Sequence, residues 1–180
     1  MLRTFARSLR HRWLDESDAR RIVGPELAER LRGFVAASER RHTGEIRVCV
    51  EGGLPTSYLW RHWRHAIPMA AIVRQRAAMM FAKLRVWDTP HNNGVLIYLL
   101  LAEHAIELVA DRGIAERVPP SEWQAMVDRL GAALSGGQVE QGLTRALEEV
   151  SAVLVAAYPE PDAQPGTAPE AILDLVASHF

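Results

Sequence analysis

Apolar residues recur along this chain with two different periods, and these periods predict a succession of helices and strands. After Gly24-Pro25-Glu26, apolar side chains return every three or four positions as far as Gly44, which is typical of an amphipathic helix that begins with proline. Alternate apolar positions then predict a first strand over 45–50. A second apolar stripe with helical spacing covers 69–84 and predicts the next main helix.

The second half of the chain predicts a hairpin followed by two helices. Residues 95–101 are apolar at every position, which is typical of a strand covered on both faces. Ala102-Glu103 gives a compact reversal, so a third strand over 106–110 should pair antiparallel with the second. Helices follow after Pro119-Pro120 and over 139–157. Because a helix separates the first two strands, they can pair in parallel, and the whole order predicts a three-layer α/β/α sandwich around a small mixed sheet.

The remaining segments are less regular. We divide the chain into a basic arm at 1–20, a folded domain at 21–159 and a Pro-rich, acidic tail at 160–180, with a short helix as one option at 170–176. The aromatic and basic stretch 58–65 is interpreted as a loop or a short helix. Its Trp60 and Trp63 either face outward, where they suit a membrane or a partner, or pack on the domain.

Composition narrows the class of protein. The 180 residues are 48% hydrophobic with a formal net charge of −1, as in ordinary globular domains, and this balance gives no case for nucleic-acid binding. The lone Cys49 excludes an intramolecular disulfide and is expected to be a small buried side chain. No apolar run approaches the roughly 20 residues of a membrane-spanning helix. We therefore expect a soluble, cytoplasmic protein.

Several short motifs occur in a collinear order that resembles the TPM domain family. They are Thr43-Gly44-Glu45-Ile46, Ala78-Met79-Met80-Phe81-Ala82-Lys83-Leu84, Asn93-Gly94-Val95-Leu96-Ile97-Tyr98, Ala110-Asp111-Arg112-Gly113-Ile114, Trp123, Gly142-Leu143 and Tyr158-Pro159. The resemblance covers His42 to Pro159 and is that of a soluble bacterial member, without the signal peptide and transmembrane helix common in the family. It implies an α/β/α sandwich. It also implies acid phosphatase activity, calcium binding through carboxylates in a surface groove, or an accessory role for membrane complexes.

The predicted topology brings oxygen-bearing side chains to one end of the sheet. Antiparallel pairing around Ala102-Glu103 sets position 94 opposite 111, and a parallel first strand adds its own beginning to the same end. The predicted metal site consists of Glu45, Asp88, Asn93 and Asp111. Calcium prefers such oxygen ligands, although the sequence lacks a calcium-loop spacing. The alternative is that these residues stabilise turns, with Asp111 capping a helical turn at 113–117.

Two functions follow as hypotheses. The first is a non-catalytic accessory module that holds calcium and acts with a membrane-associated partner, which it contacts through Trp60, Trp63 and the N-terminal arginines (Arg3, Arg7, Arg10 and Arg12). The second is a metal-assisted acid phosphatase for phosphomonoesters, with Glu45, Asp88 and Asp111 on the metal and Arg85 and Arg112 as anion contacts. No nucleophile motif decides whether the protein is an enzyme. His62 and His65 are spaced as metal ligands, but a surface pair is the simpler interpretation.

Overall fold

The computed structural model describes residues 22–160 together with the backbone of 173–176. The helices in this part of the chain are α1 (Pro25–Glu39), α2 (Thr56–His65), α3 (Met69–Lys83), α4 (Arg112–Ala115), α5 (Pro120–Ser135) and α6 (Val139–Ala157). The strands are β1 (Ile46–Glu51), β2 (Val95–Leu100), β3 (Ala105–Ala110) and β4 (Leu173–Val176). A 3₁₀ turn at Leu101–Glu103 joins β2 to β3.

These strands form one mixed sheet in the order β3-β2-β1-β4. Strand β1 runs parallel to β2, with Val48 opposite Ile97. Strands β2 and β3 form the predicted antiparallel hairpin, in which Val95 lies opposite Ala110. Both pairings predicted from the sequence are therefore confirmed.

Each face of the sheet buries a separate apolar core. Alternate residues of β1 and β2, including Val48 and Ile97, pack against α1, α5 and α6. On the opposite face, Cys49 and Tyr98 are fully buried with α3, and α2 covers part of the same core. The predicted three-layer α/β/α sandwich is confirmed, and so is the prediction that Cys49 is a buried core residue.

Two irregular segments have definite structures. The stretch 58–65 lies within helix α2, which begins after Pro55 and ends at Ala66 in the left-handed conformation. The option of a short helix at 170–176 is wrong for 173–176, which form strand β4 beside β1 with Leu175 opposite Val50. Pairing along the otherwise open edge of β1 outweighs local propensity. The basic arm and the rest of the acidic tail lie outside the described residues.

Three glycines allow chain segments to approach one another closely at the end of the sheet where β1 and β2 begin. A Cβ at Gly94 would lie 1.9 Å from the carbonyl oxygen of Val86, and one at Gly113 would lie 2.2 Å from that of His91. At Gly44 a Cβ would approach a Leu154 methyl group to 2.6 Å. A side chain at these positions would therefore push the loops apart.

Among the helices of residues 22–160, none has the length and apolar character needed to cross a membrane.

Candidate functional site

Three segments meet where the parallel strands β1 and β2 begin, and we call this place the rim: residues 43–45, 88–94 and 111–114. The amide of Val95 donates to the carbonyl of Glu45 at 2.8 Å, and the amide of Asp111 donates to the carbonyl of Gly94 at 2.9 Å. These ladder-like bonds hold the start of β1, the turn before β2 and the end of β3 together.

Two side-chain oxygens at the rim are buried with no hydrogen-bond partner among the described residues: Oδ1 of Asn93 and Oδ2 of Asp111. The rest of each side chain is engaged. Asn93 donates from Nδ2 to the Thr43 hydroxyl at 3.1 Å, and Asp111 accepts at Oδ1 from the Arg112 amide at 2.7 Å. Buried polar atoms are nearly always satisfied, so these two unsatisfied oxygens are the candidates at the rim for a partner such as a cation or water.

The other two predicted ligands are held by arginines. The Glu45 carboxylate accepts from Nε of Arg47 at 2.5 Å. That of Asp88 accepts from Arg85 at 2.7 Å, and about half of the Asp88 side chain is exposed. Arg85, one of the predicted anion contacts, therefore forms an ion pair with Asp88. Asp111 does cap the short helix α4, as the turn-stabilising alternative predicted, but only through one oxygen. Within residues 22–160, no three His, Cys, Asp or Glu side chains form a group that could hold a metal by themselves.

A further carboxylate lies close to the rim, and sequence reasoning missed it. Glu39, at the end of α1, accepts from the amide of Ile46 at 3.2 Å and so supports the first residue of β1. Burial, reinforced by the charge of Glu45, raises the pKa of Glu39 to about 7. The polar residue at the end of an apolar helical stripe was the only signal in the sequence.

Beside it lies a buried histidine. The His42 ring bonds through Nε2 to the Ser38 hydroxyl at 2.9 Å, and Ser38 donates to Ser151 on α6 at 2.5 Å. Burial lowers the pKa of His42 to about 4, with a smaller effect from the charge of Arg41. A neutral histidine with about 1% exposure is positioned to join α1 to α6 rather than to meet a substrate.

These two groups predict opposing pH effects on stability. The native state binds the Glu39 proton more tightly than the unfolded chain does, so this contribution is complete below pH 4.5 and is lost as pH rises through 7. Native His42 resists its proton, so its contribution is complete above pH 6.5 and is lost as pH falls through 4. The two effects oppose each other between these limits.

The substitution Glu39→Gln should separate them. It keeps an oxygen for the Ile46 amide and removes the titration, so at pH 8 the variant should be more stable than the wild type by about 2–3 kcal/mol. At pH 4 the two proteins should be nearly equal. Urea unfolding across this pH range measures both. The variant's stability should rise from pH 4 to 6.5 because, of these two groups, only His42 remains. Parallel pH curves for the two proteins would contradict the assignment.

The opposite end of the sheet contains a buried ion pair that the sequence did not reveal. Arg76 of α3 donates from Nε to Glu51, the last residue of β1, at 2.8 Å. The Tyr98 hydroxyl donates to the same carboxylate at 2.5 Å. Ligands of open α/β sheets usually bind at the carboxyl ends of the strands. In this protein the Arg76, Glu51 and Tyr98 side chains occupy that position and bond to one another. The rim, at the other end of the sheet, is therefore the better candidate for a ligand site.

Comparison with known proteins agrees with this architecture. A family model described as the TPM domain matches residues 17–153. The chain belongs to the TPM domain family. Among solved structures, the BA42 protein from the psychrophilic bacterium Bizionia argentinensis is similar, with 24% identity and a TM-score of 0.64 over 82% of this chain and 92% of that one. At this identity the likeness shows a shared fold. No curated protein matches the chain.

Several of the residues that identified this TPM domain from its sequence lie in the rim. At the rim positions Gly44, Gly94 and Gly113, a Cβ would collide with another segment. Asn93 and Asp111 stand directly before or after the strands that these glycines bring together. These landmarks therefore include the residues that assemble the rim.

Helix α2 of this TPM domain packs on the core with one side and exposes the other to solvent. Tyr58 and Leu59 pack on the core, whereas Trp60 is 56% exposed and Trp63 is 69% exposed. The alternative that both tryptophans pack on the domain is wrong. His62 bonds through Nδ1 to the Ile67 carbonyl at 2.5 Å, and the His65 ring lies edge-on to Trp60. Within the described residues the two rings therefore make separate contacts, and the surface-pair interpretation stays a prediction.

Proposed function

We propose that this TPM domain protein is a non-catalytic accessory module that binds a divalent cation, calcium by its oxygen chemistry, at the rim. The observation that supports this is the pair of buried, unpartnered oxygens, Asn93 Oδ1 and Asp111 Oδ2, in the described residues. Calcium accepts carboxylate and amide oxygens and fills its remaining positions with water. Glu45 and Asp88 add negative charge to the rim, although each is paired with an arginine.

The arrangement also indicates weak binding. Full coordination needs six to eight oxygens, and the rim offers two that are free of other bonds. A cation with few protein ligands and several waters fits an affinity in the range of extracellular modules, about 10⁻⁴–10⁻³ M. The cation would bring Asn93 and Asp111 together and tighten the junction between β1, β2 and β3.

Calorimetric titration of calcium tests this proposal. Wild-type protein should bind calcium with a dissociation constant near the millimolar range, and Asp111→Ala should lose at least tenfold in affinity because a carboxylate ligand and its charge are removed. The matched control is Asp128→Ala, which removes an equal charge from an exposed position on α5 whose carboxylate accepts only from Gln124 within the described residues. No binding by the wild type at millimolar calcium, or equal losses in the two variants, would refute the rim site.

The phosphatase hypothesis is the alternative, because Glu45 directly before β1 and Asp111 directly after β3 add carboxylates to the same end of the sheet. It requires Asp88 and Glu45 to leave their arginines and to join Asp111 on a metal. A phosphomonoester assay in the same titration series distinguishes the two functions. The accessory module predicts no calcium-dependent turnover, whereas turnover that disappears in Asp111→Ala but persists in Asp128→Ala would replace it with the enzyme.

The accessory role includes a membrane-associated partner, reached through the exposed tryptophans of α2 and the N-terminal arginines. What supports this is the exposure of Trp60 and Trp63, at 56% and 69%. Large aromatic side chains with a polar edge are enriched at interfaces.

A further inference from the structure

Helix α2 is anchored along one side only. Tyr58 and Leu59 pack against the core that α3 covers, and Arg61 donates to Gln75 of α3 at 2.6 Å. The outer side contains Thr56, Trp60, Trp63 and Arg64, which are all exposed and share one face of the helix at i, i+4, i+7 and i+8. A continuous stripe of this short helix is therefore open to solvent.

The exposed stripe includes two large apolar side chains, and exposed apolar patches usually mark a surface that binds a partner or a membrane. Single exposed hydrophobic side chains are common, but two tryptophans one turn apart form a patch. Trp87, which follows α3, is also 48% exposed. Tryptophan with adjacent arginine is typical of the membrane–water interface, where the indole ring sits at the headgroups and the cation meets phosphate.

The segment that contains α2 and α3 is strongly basic. Residues 52–87, which contain α2 and α3, include no Asp or Glu, while Lys or Arg stands at 61, 64, 74, 76, 83 and 85. The whole chain has a net charge of −1, so the acidic residues are concentrated elsewhere. Arg76 is buried against Glu51, Arg74 pairs with Glu107, and Arg85 pairs with Asp88 just beyond this stretch. The Arg74 and Arg85 side chains nevertheless remain 70% and 71% exposed, and Arg64 and Lys83 are exposed as well. This face is complementary to a uniformly negative surface.

We propose that α2 lies on the surface of a bilayer that contains anionic phospholipids, with Trp60 and Trp63 in the headgroup region and Arg64 facing the phosphates. The stripe projects from a convex helix and is flanked by cations, which fits a broad charged plane better than the pocket of a protein. This inference rests on the membrane-associated role proposed above. It names the lipid bilayer itself as the surface that the tryptophans contact. Neither the rim nor a cation takes part.

Vesicle co-sedimentation of the full chain tests the inference. Vesicles of phosphatidylcholine with phosphatidylserine should bind the wild type at low ionic strength, in the presence of a calcium chelator, and vesicles of phosphatidylcholine alone should bind far less. The double substitution Trp60→Ala/Trp63→Ala should weaken binding by about tenfold or more, because two interfacial side chains are lost. Arg64→Glu should also weaken it about tenfold or more, since each charge near an anionic surface contributes substantially.

The matched control is Arg32→Glu, an equal charge reversal on α1 in the opposite helical layer, where Arg32 pairs with Glu29 within its own helix. It should bind as the wild type does. The N-terminal arm is unchanged in every variant, so its own affinity for lipid cancels. Thermal unfolding checks that the double variant is folded, and Arg64→Glu keeps the test decisive if it is not.

Three results would overturn the inference. One is no binding of the wild type to phosphatidylserine vesicles, the second is equal weakening by Arg64→Glu and Arg32→Glu, and the third is undiminished binding of the folded double tryptophan variant. Binding to native membranes but not to pure lipid would overturn it in favour of a protein partner. Because the chelator removes calcium throughout, failure here leaves the rim proposal intact, and failure of the calcium titration leaves this one intact.

Discussion

Replacing Arg76 with methionine is expected to destabilise the fold by about 3–5 kcal/mol, because it leaves the Glu51 carboxylate buried without its counter-charge. Glu51 is 0% exposed, and its other partner is the Tyr98 hydroxyl. A single neutral hydrogen bond does not compensate a charge removed from water. Urea unfolding of wild type and Arg76→Met measures the difference.

The double variant Glu51→Gln/Arg76→Met provides the control. Glutamine keeps an oxygen for Tyr98 and removes the charge, so the double variant should recover most of the lost stability, as expected when the loss comes from an unpaired charge rather than from packing. If Arg76→Met stays within about 1 kcal/mol of the wild type, the buried pair is not the stabilising contact that its geometry indicates. A double variant as unstable as the single one would point to lost packing instead.

Gly94→Ala is expected to cost about 3 kcal/mol or more, because its Cβ would lie 1.9 Å from the Val86 carbonyl oxygen. Backbone cannot rotate away as a side chain can, so either the turn before β2 or the segment after α3 must move. Thermal or urea unfolding measures the loss. Since Gly94 accepts the Asp111 amide, the same shift should also disturb the rim.

Gly33→Ala is the matched control for the glycine effect. Gly33 is exposed in the middle of α1, and a Cβ there would meet nothing within 4 Å. Alanine should therefore stabilise the protein by about 0.5–1 kcal/mol through helix propensity. Similar effects at both positions would show that the close approach at Gly94 does not constrain the fold.

The sequence predicted those elements whose pattern is local. The fully apolar run of β2, the alternation in β1 and the short reversal at 102–103 each point to one structure. Together they predicted the strand pairing and the end of the sheet at which Asn93 and Asp111 lie. Strand β4 was missed because its short segment becomes a strand only beside the open edge of β1. Such an edge exists only in three dimensions.

The sequence predicted which residues lie at the rim, but it did not predict which of their side chains form ion pairs. Topology alone brings Asn93 and Asp111 together, and the structure confirms the backbone bond between Asp111 and Gly94. Arginine pairing of Glu45 and Asp88 depends on side-chain directions that a sequence does not give. Arg76 was hidden because its spacing fits the apolar stripe of α3, so its partner Glu51 on β1 was needed to recognise it.

The most direct test of the central claim is a calcium titration followed by amide and side-chain NH₂ resonances in two-dimensional ¹H–¹⁵N spectra. The rim proposal predicts the largest shifts at residues 43–45, 88–94 and 111–114, with the Asn93 side-chain NH₂ among them, and their disappearance in Asp111→Ala. Shifts confined to the acidic residues of the C-terminal tail, or no shifts at millimolar calcium, would contradict the proposal that this TPM domain binds a cation at the rim.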